Sequence, residues 1–340
     1  MQNKIKVAVI GSTGAVGQVF LWMLENHPWF EVTYLTASAS RIGKRYEETV
    51  HWVLPFEMPS YLSDFTIKEL DMEEMKNSGV KIVFSALPAN VANEAEPQLR
   101  SFGFYVFSNA ASMRYDEDVP ILIPEANAEK LSWIEKQGFP KTGFVVTNAN
   151  CATTGLAIAL APLKKFGIKE LNVSTYQSVS GAGYPGLSAF DITNNTIPFI
   201  GGEEEKMEKE IQKILDVAPS FYAYCVRVPI MFGHLETVWV TFEDDVTQDM
   251  VIEAWDNFHE SAELPSTPKA SISYSSEKDS PQHKFAFWGE PRGMVVYTGR
   301  LKKQGNKIGF ALLINNIVKG AAGGSIQNAE AFVTKYGSLI

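Results

Sequence analysis

The sequence predicts an α/β chain of two domains, a dinucleotide-binding domain built on a parallel sheet and a second, α+β domain. Three observations predict it. Residues 4–10 (Lys-Ile-Lys-Val-Ala-Val-Ile) form an apolar run that passes straight into Gly11-Ser-Thr-Gly14-Ala-Val-Gly17. Strand-like and helix-like runs then alternate as far as Thr147, the pattern of a parallel sheet wound with helices. Beyond Cys151 the strands lengthen and few helices separate them, which points to a mixed, mainly antiparallel sheet. A chain of 340 residues is long enough for two such cores.

After the glycine turn, Phe20, Leu21, Met23 and Leu24 give an amphipathic helix that closes near Asn26-His-Pro28, and Glu31–Ala37 reads as the second strand. Strand, glycine turn, helix and strand in this order form the βαβ unit that binds dinucleotides. Its first glycine serves the tight turn, and the later ones let backbone approach a pyrophosphate. The spacing is G-x-x-G-x-x-G, and no acid closes the second strand. Ala37-Ser38-Ala39-Ser40-Arg41 stands there instead and offers hydroxyls and a guanidinium to a 2′-phosphate, which favours NADP over NAD.

Residues 46–80, with Pro55 and Pro59, read as an irregular excursion. Val80–Pro88 reads as a buried strand ending in a small-residue turn, residues 89–101 as a helix and Gly103–Ser108 as a strand. Ser108-Asn-Ala-Ala-Ser-Met-Arg114 leaves that strand's carboxyl end, where open α/β sheets place ligands. Arg114 is either a solvated loop residue or an anion clamp.

The stretch Thr147-Asn-Ala-Asn-Cys-Ala-Thr-Thr-Gly155 joins the strand Gly143–Thr147 to a helical run over Gly155–Leu163. Cys151 therefore falls at or just before a helix N-terminus, where unpaired N–H groups and the helix dipole favour thiolate. Asn148 and Asn150 flank it with amides that would hold an oxyanion beside the sulfur. A small buried core cysteine is the bland alternative.

In the second half, Glu170–Val179, Tyr222–Val228, Leu235–Phe242, Met294–Leu301 and Lys307–Asn315 read as strands, and Glu203–Leu215 and Asp249–Phe258 as helices. Residues 260–285, rich in Ser, Pro and Lys, read as a long loop, and a closing helix runs to about Tyr336 and packs on the first domain. Gln177 precedes a second glycine-rich turn, Ser178-Val-Ser-Gly-Ala-Gly-Tyr-Pro-Gly186. Arg227 and His234 stand seven apart, with Pro229 and Gly233 breaking the strand between them so that both reach one pocket. Glu203 and Lys206 lie one helical turn apart, and Glu204, Glu205, Glu208 and Glu210 read as a solvated face.

Composition narrows the function. The formal charge of −9 argues against nucleic acid, and no apolar run is long enough to span a membrane. Two cysteines 74 positions apart give neither a disulfide framework nor metal-ligand spacing. The first residues lead straight into a strand, so no signal peptide is expected and a reducing cytoplasm is the expected location. There is no serine-hydrolase elbow and no phosphate-binding P-loop.

Seven motifs now stand in order: Gly-Ser-Thr-Gly-Ala-Val-Gly17, Ser-Asn-Ala-Ala-Ser-Met-Arg114, Asn-Ala-Asn-Cys151, Gln-Ser-Val-Ser-Gly-Ala-Gly183, Gly-Gly-Glu-Glu-Glu-Lys206, Arg-Val-Pro-Ile-Met-Phe-Gly-His234 and Asn-Asn-Ile-Val-Lys-Gly-Ala-Ala-Gly-Gly324. Over essentially the whole chain this series resembles the aspartate-β-semialdehyde dehydrogenases, in their archaeal and fungal branch. That family usually has Pro where Ala149 stands and Ser or Thr where Ala152 stands. The resemblance implies a Rossmann-type domain over residues 1–150 plus 316–340. It implies a catalytic and oligomerisation domain of the glyceraldehyde-3-phosphate dehydrogenase type over 151–315, in a homodimer or homotetramer.

The resemblance also implies roles. Cys151 would be the nucleophile that turns β-aspartyl phosphate into a thioester for reduction by NADPH, releasing phosphate and aspartate semialdehyde on the route to lysine, threonine and methionine. His234 would be the acid/base and Gln177 would orient the reacting groups. Arg227 would grip the substrate carboxylate, Glu203 would face its ammonium group, and Arg114 and Lys206 would hold phosphate with Asn150 beside them. Gly11, Ser12, Thr13, Gly14, Ala15, Val16, Gly17, Ser38, Ser40, Arg41, Ser85, Leu87, Ser180, Gly181, Gly183 and Asn316 would line NADP. No metal is implied. A malonyl-CoA reductase on the same scaffold is the nearest alternative, and a non-catalytic nucleotide-sensing homologue, suggested by Ala149 and Ala152, is another.

Overall fold

The computed structural model describes residues 4–258 and 263–339. The chain forms two compact units, one of Met1–Leu122, Glu129–Asn148 and Ala322–Ile340 and the other of Ile123–Ala128 and Ala149–Ala321.

The first unit is organised by a five-stranded sheet of β1 (Ile5–Ile10), β2 (Phe30–Thr36), β3 (Ile82–Ser85), β4 (Tyr105–Ser108) and β5 (Phe144–Thr147), in the order β2-β1-β3-β4-β5. All its pairings are parallel. A parallel bridge from Thr36 to Lys68 sets one more piece of chain outside β2. Ile-Val-Phe-Ser, Tyr-Val-Phe-Ser and Phe-Val-Val-Thr are buried at every position, as expected of strands covered on both faces. The closing helix Gly323–Tyr336 supplies Phe332, which packs edge-on against Tyr105, Phe139 and Phe144.

The strand order reverses at β1, the point where such sheets bind ligands. Gly11 there has φ 76°, a left-handed conformation that favours glycine. The helix Ala15–Met23 follows with Gly14 as a cap that contributes no side-chain hydrogen bond, so its first N–H groups face outward for an anion. A Cβ on Gly17 would stand 2.4 Å from the Gly11 carbonyl oxygen and 2.6 Å from the Ser12 carbonyl carbon. Strand turn and helix start are thus locked together by the absence of a side chain.

The second unit carries a mixed six-stranded sheet of β6 (Ile168–Gln177), β7 (Ser220–Arg227), β8 (His234–Phe242), β9 (Ile272–Ser275), β10 (Val296–Gln304) and β11 (Lys307–Ile314), ordered β7-β6-β8-β11-β10-β9. β6–β8, β8–β11 and β10–β11 pair antiparallel, while β6–β7 and β9–β10 pair parallel. Alternate residues of β8 (His234, Glu236, Val238, Val240 and Phe242) are buried, which defines the core face of the sheet. The helices Cys151–Leu160, Glu203–Leu215 and Gln248–Asp256 belong to this unit. Trp255 of the last donates its indole N–H to the Ala159 carbonyl at 2.9 Å. On the opposite face Tyr222 and Tyr224 are exposed.

Two sequence expectations change. The stretch 260–285, expected as loop, contains β9, whose four residues Ile-Ser-Tyr-Ser are too short and polar to stand out from their surroundings; residues 260–262 lie outside the described residues. Residues 316–321 also group with the second unit rather than with the closing helix. Hydrogen bonds from Asn315 to Ala286 and from Gly233 to Asn316 hold them there, as does the buried ion pair of Lys319 with Glu125 at 2.6 Å.

The lock at Gly17 is testable. Gly17→Ala forces backbone to shift and should lower unfolding free energy by about 1–3 kcal/mol, read as a lower urea midpoint with an unchanged slope. A midpoint equal to wild type would mean that the turn relaxes without cost.

Candidate active site

One row of strand register assembles most of the site. Across the carboxyl end of β6 and β7 and the start of β8, Arg227 pairs with Gln177, Gln177 with His234, and His234 with Ile314. Paired residues share a face of the sheet, and here it is the buried one: Arg227, Gln177 and His234 are 7 %, 1 % and 0 % exposed. Gly233, at φ 88°, begins β8 at His234, and a Cβ there would meet the Ala286 Cβ at 2.9 Å. Strand order and a positive-φ glycine thus bring together residues far apart in sequence.

Cys151 comes to this row from the helix above it. It is the first residue of the helix Cys151–Leu160, and Asn150 is the cap, its Oδ1 accepting from the N–H groups of Ala152 at 2.9 Å and Thr153 at 3.4 Å. The Asn150 backbone N–H donates to Glu210 at 2.6 Å, and its amide donates to Glu203 at 2.6 Å. Behind the cysteine, a Cβ on Gly320 would stand 2.9 Å from the Cys151 Cβ, so only glycine fits. The Cys151 Sγ lies 3.1 Å from His234 Nε2, and the residue is partly exposed.

The proton on His234 is fixed from behind. The backbone N–H of Ser178, which can only donate, points at Nδ1 from 3.1 Å. Nδ1 is therefore an acceptor, and the ring proton of neutral His234 sits on Nε2, facing the sulfur. Burial, and then the charge of Arg227, push the His234 pKa down to about 3. The pair is thus a thiol or thiolate facing a neutral N–H donor, not an imidazolium ion pair. The nearby positive charge is Arg227, whose Nη1 donates to the Ser178 carbonyl at 2.6 Å. Burial lowers the Arg227 pKa, while negative charge at Cys151 and Glu203 acts the other way. The resemblance implies an acid/base at His234, and in this geometry its Nε2 presents a hydrogen to the sulfur.

Glu203 is the anion of the site. Burial acts to raise its pKa, but Lys206 and the amides of Asn150 and Gln177 outweigh it and hold the carboxylate below its ordinary range. Lys206 Nζ lies 3.0 Å from Glu203 Oε1, and Gln177 Nε2 lies 3.4 Å from Oε2.

Several of the expected site residues have partners within the protein. Asn150 caps its helix and braces Glu203, and Asn148 donates to Asn109 Oδ1 and accepts from Asn328; these amides position the turn. Glu210, expected on a solvated face, is fully buried. Its seven-residue spacing from Glu203, with Met207 between, marks one helix face and was the signal available. The turn carrying Ser180, Gly181 and Gly183 closes on protein: a Cβ on Gly181 would stand 2.9 Å from Arg227 Nη1 and 3.1 Å from His234 Cε1. Asn316 accepts from Gly233 N–H and Ser178 Oγ and donates to Ser180 Oγ, bracing the loops around His234.

In the first unit, Ser12 donates to the Thr36 carbonyl and Ser85 is fully buried beside Glu96, so both hydroxyls face inward. Thr13, Gly14, Ala15, Val16, Ser38, Ser40, Arg41 and Leu87 line or flank the turns at the strand ends. Arg114 is held rather than solvated: it is 6 % exposed and donates to the Asn109 carbonyl at 3.1 Å. Glu96 fixes its loop through Ser108 at 2.6 Å and Ser112 at 3.2 Å.

Comparison with known proteins places this arrangement. Residues 6–134 match the family model "Semialdehyde dehydrogenase, NAD binding domain", and residues 160–319 match "Semialdehyde dehydrogenase, dimerisation domain". The chain is 41 % identical to the aspartate-semialdehyde dehydrogenase of Archaeoglobus fulgidus over 97 % of this chain and 98 % of that protein. The chain belongs to the aspartate-semialdehyde dehydrogenase family. A crystal structure of the family member from Candida albicans with NADP superposes with a TM-score of 0.87 at 30 % identity, covering 99 % of this chain and 100 % of that one. The malonyl CoA reductase (NADP) of Metallosphaera sedula is 36 % identical over 98 % of both chains.

His234 makes the unit acid-sensitive. Its pKa is about 3 in the fold against 6.5 for the free side chain, so below pH 6.5 the unfolded chain takes up a proton that the fold refuses. This contribution to stability is complete above pH 6.5 and is lost as pH falls toward 3, with a limiting slope of about 1.4 kcal/mol per pH unit. Denaturation curves at pH 4.5 and 7 should show a smaller acid loss in His234→Gln than in wild type. Equal acid losses would mean that the buried ring takes up a proton in the fold.

Proposed function

We propose that this chain catalyses the NADPH-dependent reductive dephosphorylation of β-aspartyl phosphate to aspartate semialdehyde. The observation that carries this reading is the Cys151 Sγ held 3.1 Å from the neutral His234 Nε2, in a row with Arg227 and Gln177 and beside the ionised Glu203. Nucleophile, hydrogen-bond donor, carboxylate clamp and ammonium partner are all present.

The Cys151 thiolate attacks the acyl carbon of the substrate, the C–S bond forms, and the C–O bond to phosphate breaks. The helix N-terminus, the His234 N–H and the Arg227 charge stabilise the sulfur anion before attack. A thioester accepts hydride far more readily than a carboxylate, and NADPH, when bound, would supply that hydride. Cys151 is also the leaving group when aldehyde is released, and the His234 N–H would then again donate to its thiolate. Arg227 holds the α-carboxylate in a paired hydrogen bond, Glu203 meets the ammonium group, and Lys206 holds phosphate.

The first unit fits the cofactor. Gly11 and Gly17 leave a cradle that a Cβ would fill, at 2.7 Å from the Ala86 carbonyl oxygen and 2.4 Å from the Gly11 carbonyl oxygen. The helix Ala15–Met23 turns its uncapped start outward for the pyrophosphate. Ser38, Ser40 and Arg41 form a 3₁₀ turn with its cap directly after β2, where a 2′-phosphate would be held.

A second reading, malonyl-CoA reductase, is favoured by one relative and opposed by the Glu203 group, since a malonyl ester carries no ammonium for it to meet. The open face of the second sheet supports assembly. Tyr222 and Tyr224 stand exposed beside a cavity of about 640 Å³ lined also by Trp239 and Glu204, and a second copy of this chain is its proposed cover, giving a homodimer.

Phosphate- or arsenate-dependent NADP reduction with aspartate semialdehyde should exceed NADPH oxidation with malonyl-CoA, and the reverse order would reject the assignment. Cys151→Ala should abolish turnover and leave NADPH affinity near wild type; lost cofactor binding would make the thiol structural. Arg41→Ala should weaken NADP by about 1–3 kcal/mol and NAD little, and equal losses would remove the 2′-phosphate role.

A further inference from the structure

Directly behind the row that carries Arg227, Gln177 and His234 lies a second row on the same buried face: Cys225, Thr175, Glu236 and Leu312. Glu236 is completely buried, and among the described residues neither of its carboxyl oxygens has a hydrogen-bond partner. Two atoms beside it share that condition, Oγ1 of Thr175 and Oε1 of Gln177. Thr175 is directly opposite Glu236 and Gln177 is its diagonal neighbour, a separation that long side chains on one face bridge. Three unpartnered polar groups thus converge behind the catalytic row.

A buried carboxylate without a cation is among the costliest groups a core can hold, whereas its protonated form is neutral and brings a donor. Gln177 Oε1 and Thr175 Oγ1 are acceptors in want of one. A single buried water makes about three hydrogen bonds to groups of this kind. Here it would accept from the carboxylic acid and donate to Thr175 and Gln177, leaving the Thr175 O–H to the Cys225 sulfur beside it.

We propose that Glu236 is a positioning residue: its carboxylic acid O–H, relayed by one buried water shared with Thr175, supplies the hydrogen bond that Oε1 of Gln177 lacks and keeps the Gln177 amide turned with Nε2 toward Glu203. Without it the amide is free to flip, and its carbonyl oxygen would then face the Glu203 carboxylate, a repulsion at the position proposed to receive the substrate. Gln177 Nε2 already lies 3.4 Å from Glu203 Oε2, so the orientation in question is the one the structure holds.

The charge environment agrees. Burial alone raises the Glu236 pKa well above the ordinary carboxylate range. Among the described residues no cation pairs with it: Arg227 of β7 donates to the Ser178 carbonyl, His234 on its own strand is neutral, and the Cys225 thiol on β7 is pushed up to about 12, chiefly by burial. On the helices above, Glu203 is an anion already satisfied by Lys206, and Cys151 faces His234.

Two measurements on the full-length protein test this. Infrared spectroscopy at neutral pH should show a protonated-carboxyl band that shifts in D₂O and disappears in Glu236→Gln; no band lost in that variant would mean that Glu236 is ionised and overturn the proposal. This readout needs no turnover, so it stands apart from the reaction proposed above, on which the second measurement rests. Glu236→Leu should lower kcat about tenfold with little change in the KM for NADPH, and Glu236→Gln, which keeps a donor, should recover most of that loss. In a Gln177→Ala background the Glu236→Leu effect should vanish. An undiminished effect there, or a Glu236→Gln as impaired as Glu236→Leu, would mean that Glu236 serves packing alone.

Discussion

A backbone N–H directed at one nitrogen of one imidazole decides the chemistry of this fold. Because Ser178 donates to Nδ1 of His234, the ring presents Nε2–H to Cys151, and the sulfur meets a donor whatever the pH above the acid range. That geometry is a consequence of strand pairing. Gln177 and His234 are register partners on β6 and β8, so the residue after Gln177 is placed beside the ring by the sheet itself. Asn316 then ties Ser178, Gly233 and Ser180 together, which braces the loops on either side of the histidine.

Charge in the second unit is distributed to suit that neutral ring. An imidazolium would compete with Arg227 for the same buried volume, and it is Arg227 that stays positive. Glu203 supplies the compensating anion and is kept ionised by Lys206 and two amides despite its burial. Glu210 and Asn150 finish the arrangement by fixing the first turn of the cysteine helix. Each charged group near the sulfur is therefore satisfied by a partner within the same unit, which suits a chain whose net charge of −9 repels anions at long range.

Much of this was legible in the sequence, and the rest was hidden for physical reasons. The βαβ unit, the helix start at Cys151 and the strand breaks around Arg227 and His234 are local signals, set by glycine, proline and apolar spacing within a few residues. The bounds Glu203–Leu215 could be read from its amphipathic pattern, yet Glu210 could not be told from its exposed neighbours until Asn150 was seen to need it. Strand β9 was invisible because four residues with two serines carry no pattern. Cross-strand partnership is the main thing a sequence withholds: nothing in Ser178 announces that its N–H faces a histidine 56 positions away. Nor does Glu236 announce that it is buried, since in the sequence it is one acid in an alternating strand.

The most direct test is nitrogen NMR of histidine-labelled protein, with His234 assigned by comparison with His234→Gln. At pH 7 its Nδ1 should appear as an unprotonated, hydrogen-bond-accepting ring nitrogen and its Nε2 as a protonated one, unchanged down to about pH 5. A ring protonated on Nδ1, or an imidazolium at neutral pH, would contradict the account.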